Sequence, residues 1–232
     1  MKTVFLSLLL LNAFSVFSQK PFTVEYRTEY LSFLRNDVDS NRVYQWMTSP
    51  SSPLYKLSVD NDLSYFRIIK PNIQKNRHAP ILVEYYTDSN GAVYYPVAPI
   101  TEKPLLAKDL PEGNWLFTTD TDTILGFPCR RASKLIGKEY VDAWYCWELP
   151  GRFGPFTYSG LPGTILRVET TYMRYSAINV NEETEKVNLP ETAVIDGDEY
   201  RKMSREKRMY RAGLFGKRVD PYEVPRITRM RF

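Results

Sequence analysis

Residues 127–149 read FPCRRASKLIGKEYVDAWYCWEL, with Gly137-Lys138 between two strand-like runs, Phe127–Ile136 and Glu139–Leu149. Glycine at the first central position of a two-residue hairpin suits a type II′ turn, because that position needs a positive φ. Such a turn pairs Ile136 with Glu139. Counting outward in step, Cys129 falls directly opposite Cys146. Antiparallel pairing alternates hydrogen-bonded and non-hydrogen-bonded positions. By that alternation the two cysteines form a non-hydrogen-bonded pair, with Cα atoms ~4.5 Å apart, at the short end of the disulfide range. Turn chemistry and cysteine spacing thus predict the same antiparallel hairpin. Pro128 has no N–H for a ladder, so the first strand ends, bulges or lies at an edge there.

The cysteine pair has three readings. In an exported chain a Cys129–Cys146 disulfide is the expected state, adding ~3 kcal/mol in the chain-entropy model. Two buried thiols on neighbouring strands are the second. A redox or metal-binding pair is the third, and it lacks support from any C-x-x-C or nearby His. On the second strand Trp144 and Cys146 share one face, and Tyr145 and Trp147 the other. One face is expected in the core; the other is an apolar patch or the wall of a concave sheet.

Beyond this hairpin, residues 150–163 read PGRFGPFTYSGLPG. Leu161-Pro162-Gly163-Thr164 fits a type II turn, with Pro presetting φ and Gly taking the positive one. Gly160 allows a further close backbone approach. The loop has a structural reading, a rigid aromatic segment that folds back to cap the sheet. It also has a functional one, the rim of a ligand or partner surface formed by Trp144, Trp147, Phe153, Phe156, Tyr158 and Leu161.

The remaining chain agrees with a mainly β fold. Phe22, Val24 and Tyr26 alternate with polar residues in a half-buried strand. Tyr55, Leu57 and Val59 lead through Asp60-Asn61-Asp62 into Leu63–Ile69, a second hairpin. Asn90-Gly91 between Ile81–Thr87 and Ala92–Val97 predicts a third with a type I′ turn. Pro96, Pro99, Pro104 and Pro111 punctuate a connector, and Asn114–Thr119 reads as a strand. Thr164–Thr170 and Met173–Val180 continue the sheet. Arg42–Met47 does not decide between strand and helical turn. Asp196-Gly197-Asp198 precedes a run of helix formers, with an Asp N-cap.

Three segments result: a signal peptide over 1–18, an antiparallel β domain over 19–196, and a C-terminal helix with basic tail over 197–232. Lys2, the apolar Val4–Leu11 and the small Ser18 predict export with cleavage after Ser18, to the periplasm or beyond, as a soluble protein. The formal net charge is +4, and about a third of the Lys and Arg lie in Arg201–Phe232. That tail is expected to be solvated, or to contact anionic surfaces such as lipid headgroups or an acidic partner. Export argues against nucleic acid.

No constellation for chemistry stands out. The single histidine, His78, lies in a polar loop, which leaves no His-centred metal site and marks no Ser-His-Asp triad. Asp120 and Asp122 have the spacing of a solvated, calcium-friendly turn without an EF-hand pattern behind it. No catalytic residue, metal or cofactor is expected.

The run GPFTYSGLPGTIL (Gly154–Leu166) resembles the signature of the GLPGLI family, exported proteins of Bacteroidetes without an established biochemical function. ILGFPCRRA (Ile124–Ala132) and DAWYCWELP (Asp142–Pro150) extend the resemblance, and YKLSVDNDLSYF (Tyr55–Phe66) is a looser upstream match. Thr164 stands where that family usually has Leu, and Cys146 where many members have a small or polar residue. The resemblance implies export, a mostly antiparallel β fold and no known enzyme activity. The strand content and the Trp-Tyr strand before a Pro/Gly loop are also similar to lipoprotein-carrier half-barrels. The resulting expectation is a strongly curved, half-barrel-like antiparallel sheet with a C-terminal helix. Its expected role is a non-enzymatic binding module for an apolar or lipid-like ligand. The alternative is an envelope protein–protein interaction factor, and a hydrolase ranks below both.

Overall fold

The computed structural model describes residues 20–31, 53–60, 62–70, 83–98, 103–111, 113–182 and 186–214, apart from the side chains of residues 30 and 208–214. The expected signal segment, residues 42–47, His78 and the tail from residue 215 lie outside the described residues. Twelve strands form one sheet: β1 Phe22–Tyr30, β2 Leu54–Asp60, β3 Leu63–Lys70, β4 Glu84–Asp88, β5 Val93–Val97, β6 Leu105–Asp109, β7 Leu116–Ile124, β8 Phe127–Ile136, β9 Glu139–Cys146, β10 Thr164–Glu169, β11 Met173–Glu182 and β12 Ala193–Asp196. One helix comes after them, α1, Gly197–Leu214.

The spatial order is β12-β6-β5-β4-β3-β2-β1-β11-β10-β9-β8-β7. The sheet is open and largely antiparallel; only β12 pairs in parallel, with β6. β1 joins two meanders, facing β2 on one side and β11 on the other. Its sequence suits that inner position: Phe22, Val24, Tyr26 and Thr28 are buried, while Arg27 and Glu29 point out. The Tyr26 hydroxyl donates to the Ile165 carbonyl on β10 at 2.6 Å, across the β11 strand between them.

The β8–β9 register is the one that the sequence predicts, Ile136 opposite Glu139 through to Cys129 opposite Cys146. Gly137 has φ 61° as a type II′ turn requires. The Asn90-Gly91 hairpin differs from the expected type I′. The Gly91 N–H donates to the Asp88 carbonyl at 2.8 Å and the Asp88 N–H to that of Ala92 at 3.0 Å. Only Gly91, φ 84°, has a positive φ, which gives a three-residue loop with a type I turn and a G1 bulge. The Asp88 carboxylate also accepts from the Asn90 and Ala92 N–H groups, so it holds the alternative turn.

β7 runs on to Ile124, through Asp120 and Asp122, where the sequence suggests a turn. β6 lies in the stretch expected to be a connector, and β12 in one where no element is expected; LLAKD at β6 has little β propensity and is a strand through its pairings with β5 and β12. At the start of α1 the Asp196 carboxylate accepts from the N–H groups of Asp198 and Glu199 at 3.0 and 3.1 Å, the expected N-cap. Arg201 then anchors the helix to the sheet, donating to Asp109 at 3.0 Å, which also accepts from Tyr95 at 2.9 Å. Gly197 is required there, because a Cβ would lie 1.7 Å from the Asp109 carboxylate.

Replacing Tyr26 by Phe strands the Ile165 carbonyl in a dry interior. We expect a loss of about 1–2 kcal/mol in chemical denaturation, with the fold retained.

Candidate functional site

The loop between β9 and β10 lies against one face of the sheet and completes its core. Phe153, Phe156, Tyr158 and Leu161 are each at most 2% exposed. Phe156 is the centre of the cluster. Its ring lies 5.2 Å from Tyr55 on β2, 4.7 Å from Phe66 on β3, 6.2 Å from Tyr85 on β4 and 4.8 Å from Tyr175 on β11. One loop residue thus bridges four strands drawn from both meanders, mostly in the tilted and edge-on geometries that aromatic quadrupoles prefer. Phe156 does this from a positive φ of 55°, an uncommon conformation for a side chain of its size.

The loop's backbone bonds explain its glycines and prolines. The Thr164 N–H donates to the Leu149 carbonyl at 3.0 Å, not back to Leu161. The Gly163 N–H bonds to Leu161 across Pro162 at 2.8 Å. This is a three-residue turn in place of the expected type II turn. The change results from closure of the loop, since β10 must meet β9 at Thr164 opposite Cys146. A Cβ on Gly163 would fall 2.2 Å from the Cys146 carbonyl oxygen. Gly160 has φ 93°, and its N–H reaches the Arg152 carbonyl at 2.8 Å, which closes the loop on itself.

A buried cation sits at the mouth of this plug. Lys134 on β8 is 4% exposed, with Nζ 4.5 Å from the Trp115 ring centre and 5.8 Å from that of Tyr158, a cation–π arrangement. Trp115 Nε1 donates to the Ser159 carbonyl at 2.8 Å, tying the plug to the approach to β7. The Tyr158 and Ser159 hydroxyls are buried without hydrogen-bond partners among the described residues. Burial pushes the Tyr158 phenol well above its ordinary pKa, with the Glu139 charge adding to the effect.

The opposite face of the sheet is polar. Arg174 joins Glu169 at 2.6 Å and Glu29 at 3.5 Å; Arg167 joins Asp122 at 2.8 Å; Arg131 joins Asp120 at 3.0 Å and Asp142 at 3.7 Å. Ser133 donates to Asp142. Exposed pairs of this kind contribute ~0–1 kcal/mol each, so the belt sets register and solubility more than stability. Asp120 and Asp122 are thus strand residues held by arginines and not a solvated turn. The Thr123 N–H, then Arg167, hold the Asp122 carboxyl below its ordinary pKa. Among the described residues no group of three His, Cys, Asp or Glu side chains could hold a metal ion.

The residues expected to form one ligand surface are therefore divided. Phe153, Phe156, Tyr158 and Leu161 are core, because the sheet's apolar face has to be covered and the loop covers it. Trp144 is half-buried, with the Arg167 guanidinium 5.0 Å from its ring centre. Trp147 lies past the end of β9, 46% exposed, beneath Arg130. Tyr145 on the other parity is core with Ala143 and Val141. Gly137, Gly160, Pro162 and Gly163 are all at turns or closures. In this structure Cys129 and Cys146 stand opposite each other as buried, unbonded thiols. The register opposes them as predicted, but apposition alone forms no bond. Burial, then the neighbouring Cys146 sulfur, pushes the Cys129 pKa up to about 12, so the pair stays protonated. Lys134 and Trp115 were missed, although the hairpin register puts Lys134 on the inward face with Ala132.

Residues 131–167, most of the hairpin, the whole loop and the start of β10, match the model of a protein family of unknown function, Porph_ging. No curated protein matches the chain. Two solved structures of PNGF-II, in space groups P21 and C2, share the fold with TM-scores of 0.58 and 0.57 at 15% and 16% identity. Each match covers 79% of this chain but only 33% and 32% of the PNGF-II chain, so this chain spans about a third of that protein.

Phe156→Ala removes the ring common to four strands, and its expected cost is about 3–5 kcal/mol by denaturant titration. Gly163→Ala is expected to open the loop more than to lower global stability, read as faster hydrogen exchange at Thr164 and Ile165.

Proposed function

We propose that this chain is a non-enzymatic cell-envelope module that binds an extended segment of another envelope protein along the β7 edge. The observation that carries the reading is the burial of Phe153, Phe156, Tyr158 and Leu161. The room that an apolar ligand would need is already filled by protein. What the fold offers outside is a nine-residue edge strand. Leu116 and Phe117 at its start are 67% and 61% exposed. Leu116, opposite Ser133, shares a face with the exposed cross-strand pair Leu135 and Tyr140, while Phe117, opposite Ala132, lies on the other face against the Tyr145 ring. An unpaired edge with apolar side chains is a template for strand addition. The second half of β7 is guarded by a register shift between Phe117 and Thr121 and by Asp120 and Asp122, which leaves the Leu116–Phe117 end for pairing.

The half-barrel curvature belongs to the same proposal. β6 and β7 stand ten strand spacings apart in the sheet order, about 48 Å if flat. Residues 110–115 that join them reach about 25 Å at most. That shortfall supports a sheet curled around its aromatic loop. A second reading, a carrier for an apolar or lipid-like ligand, is favoured by the positive-φ glycines at both ends of the loop, Gly151 and Gly163, which would let the plug swing out. The GLPGLI resemblance and the apolar start of the chain support export, and export supports oxidation of the apposed cysteines.

In host cells, a photo-crosslinker at Leu116 is expected to capture one discrete protein, and Phe117→Lys to abolish the product. Unchanged products in that variant, together with saturable displacement of a fluorescent lipid from the wild type, would favour the carrier. Alkylation of unreduced, unfolded protein should label no thiols after export and two after cytoplasmic expression; two labels in both cases would remove the disulfide.

A further inference from the structure

The second feature of the polar face is a groove of about 240 Å³ over β2, β3 and β4, roofed by residues 186–188 on their way from β11 to β12. Its floor is one cross-strand row: Ser58 pairs with Tyr65, and Tyr65 with Tyr86. The Tyr65 and Tyr86 rings are nearly parallel, 10° apart with centres at 4.5 Å, and their hydroxyls are hydrogen-bonded to each other. Ser58 is 6% exposed and Tyr86 is 9%. The Arg67 guanidinium lies 5.2 Å from the Tyr65 ring centre, which fixes its position beside the row. The roof is tied down by the Val187 N–H, which donates to the Asp60 carboxylate at 3.3 Å.

The lining is uniform in sign. Arg67 and Lys186 are its charged residues, Ser58, Tyr65 and Tyr86 bring hydroxyls, and Asn188 an amide. Among the described residues no carboxylate lines it. Asp60 is engaged by the roof, and Glu84, opposite Arg67 on β4, reaches the row at its edge, where it is hydrogen-bonded to the Tyr65 hydroxyl. Burial first, and the Glu84 charge with it, pushes the Tyr65 and Tyr86 phenols above their ordinary pKa, so they stay neutral at physiological pH. Two cations with neutral hydroxyls in a small groove match a group of convergent anionic oxygens. A groove of this size suits a small molecule or a single headgroup and not a polymer segment.

We propose that this groove binds the oxyanion group of a small ligand, a phosphate, sulfate or carboxylate, between Arg67 and Lys186 over the Ser58–Tyr65–Tyr86 row. The site is on the opposite face from the aromatic plug and is independent of any partner at the β7 edge.

Inorganic phosphate and acetate, titrated separately into the full chain, test this by amide chemical shifts of Val187 and Asn188. Saturable shifts with at least one of the two anions are expected. Lys186→Gln and Arg67→Gln should each weaken binding about tenfold, the effect of one charge-assisted contact. Lys186 is exposed, so its variant folds whatever Arg67→Gln does. Co-sedimentation with phosphatidylglycerol vesicles, competed by free phosphate, would name a lipid headgroup as the source. Anion binding without vesicle binding would name a soluble molecule. No saturable shift with either anion, or equal affinity in wild type and Lys186→Gln, overturns the proposal.

Discussion

A sheet with one apolar face has to bury that face against something. Here the cover is the seventeen-residue loop between β9 and β10. No second sheet lies over it among the described residues, and α1 packs instead at the far edge on β6 and β12. Domains usually solve this by stacking two layers. This chain concentrates the second layer into Phe153, Phe156, Tyr158 and Leu161. Phe156 matters most because its contacts come from strands on both sides of β1. Without it the two meanders would share only the pairing of β1 and the residues beside it.

The loop could not do this with ordinary backbone. Gly163 passes within atomic contact of the Cys146 carbonyl, and Gly160 brings the loop back on Arg152. The Gly/Pro chemistry of the loop is therefore closure chemistry. It places aromatic rings inside and leaves the opposite face to arginine–carboxylate pairs and hydroxyls. Candidate binding features then fall where the loop is not: an edge strand with exposed apolar residues, and a cationic groove over two stacked tyrosines.

Local signals predicted local structure well. Gly137 and the cysteine spacing set the β8–β9 register residue by residue, because a two-residue turn leaves no freedom in the pairs beyond it. Asp196 marked the helix start for a similarly local reason. The errors came where distant groups compete. Asp88 accepts two N–H groups and takes its hairpin away from type I′. Thr164 bonds to Leu149 and not within its own turn. The sequence LLAKD is a strand only because β5 and β12 flank it. The aromatic loop was the hardest to read, because rings for binding and rings for packing have the same composition.

Period-two alternation, turn residues and a capping aspartate were thus enough to define the strands that carry them, the β8–β9 register and the helix start. All depend on neighbours a few residues apart. Long-range packing decided which face of each strand became core, that the loop's aromatics turn inward, that Lys134 is buried beside Trp115, and that Ser58, Tyr65 and Tyr86 align under Lys186. These arrangements join residues more than a hundred positions apart in some cases, as with Ser58 and Lys186. They depend on the order of strands in the sheet, and no local pattern encodes that order.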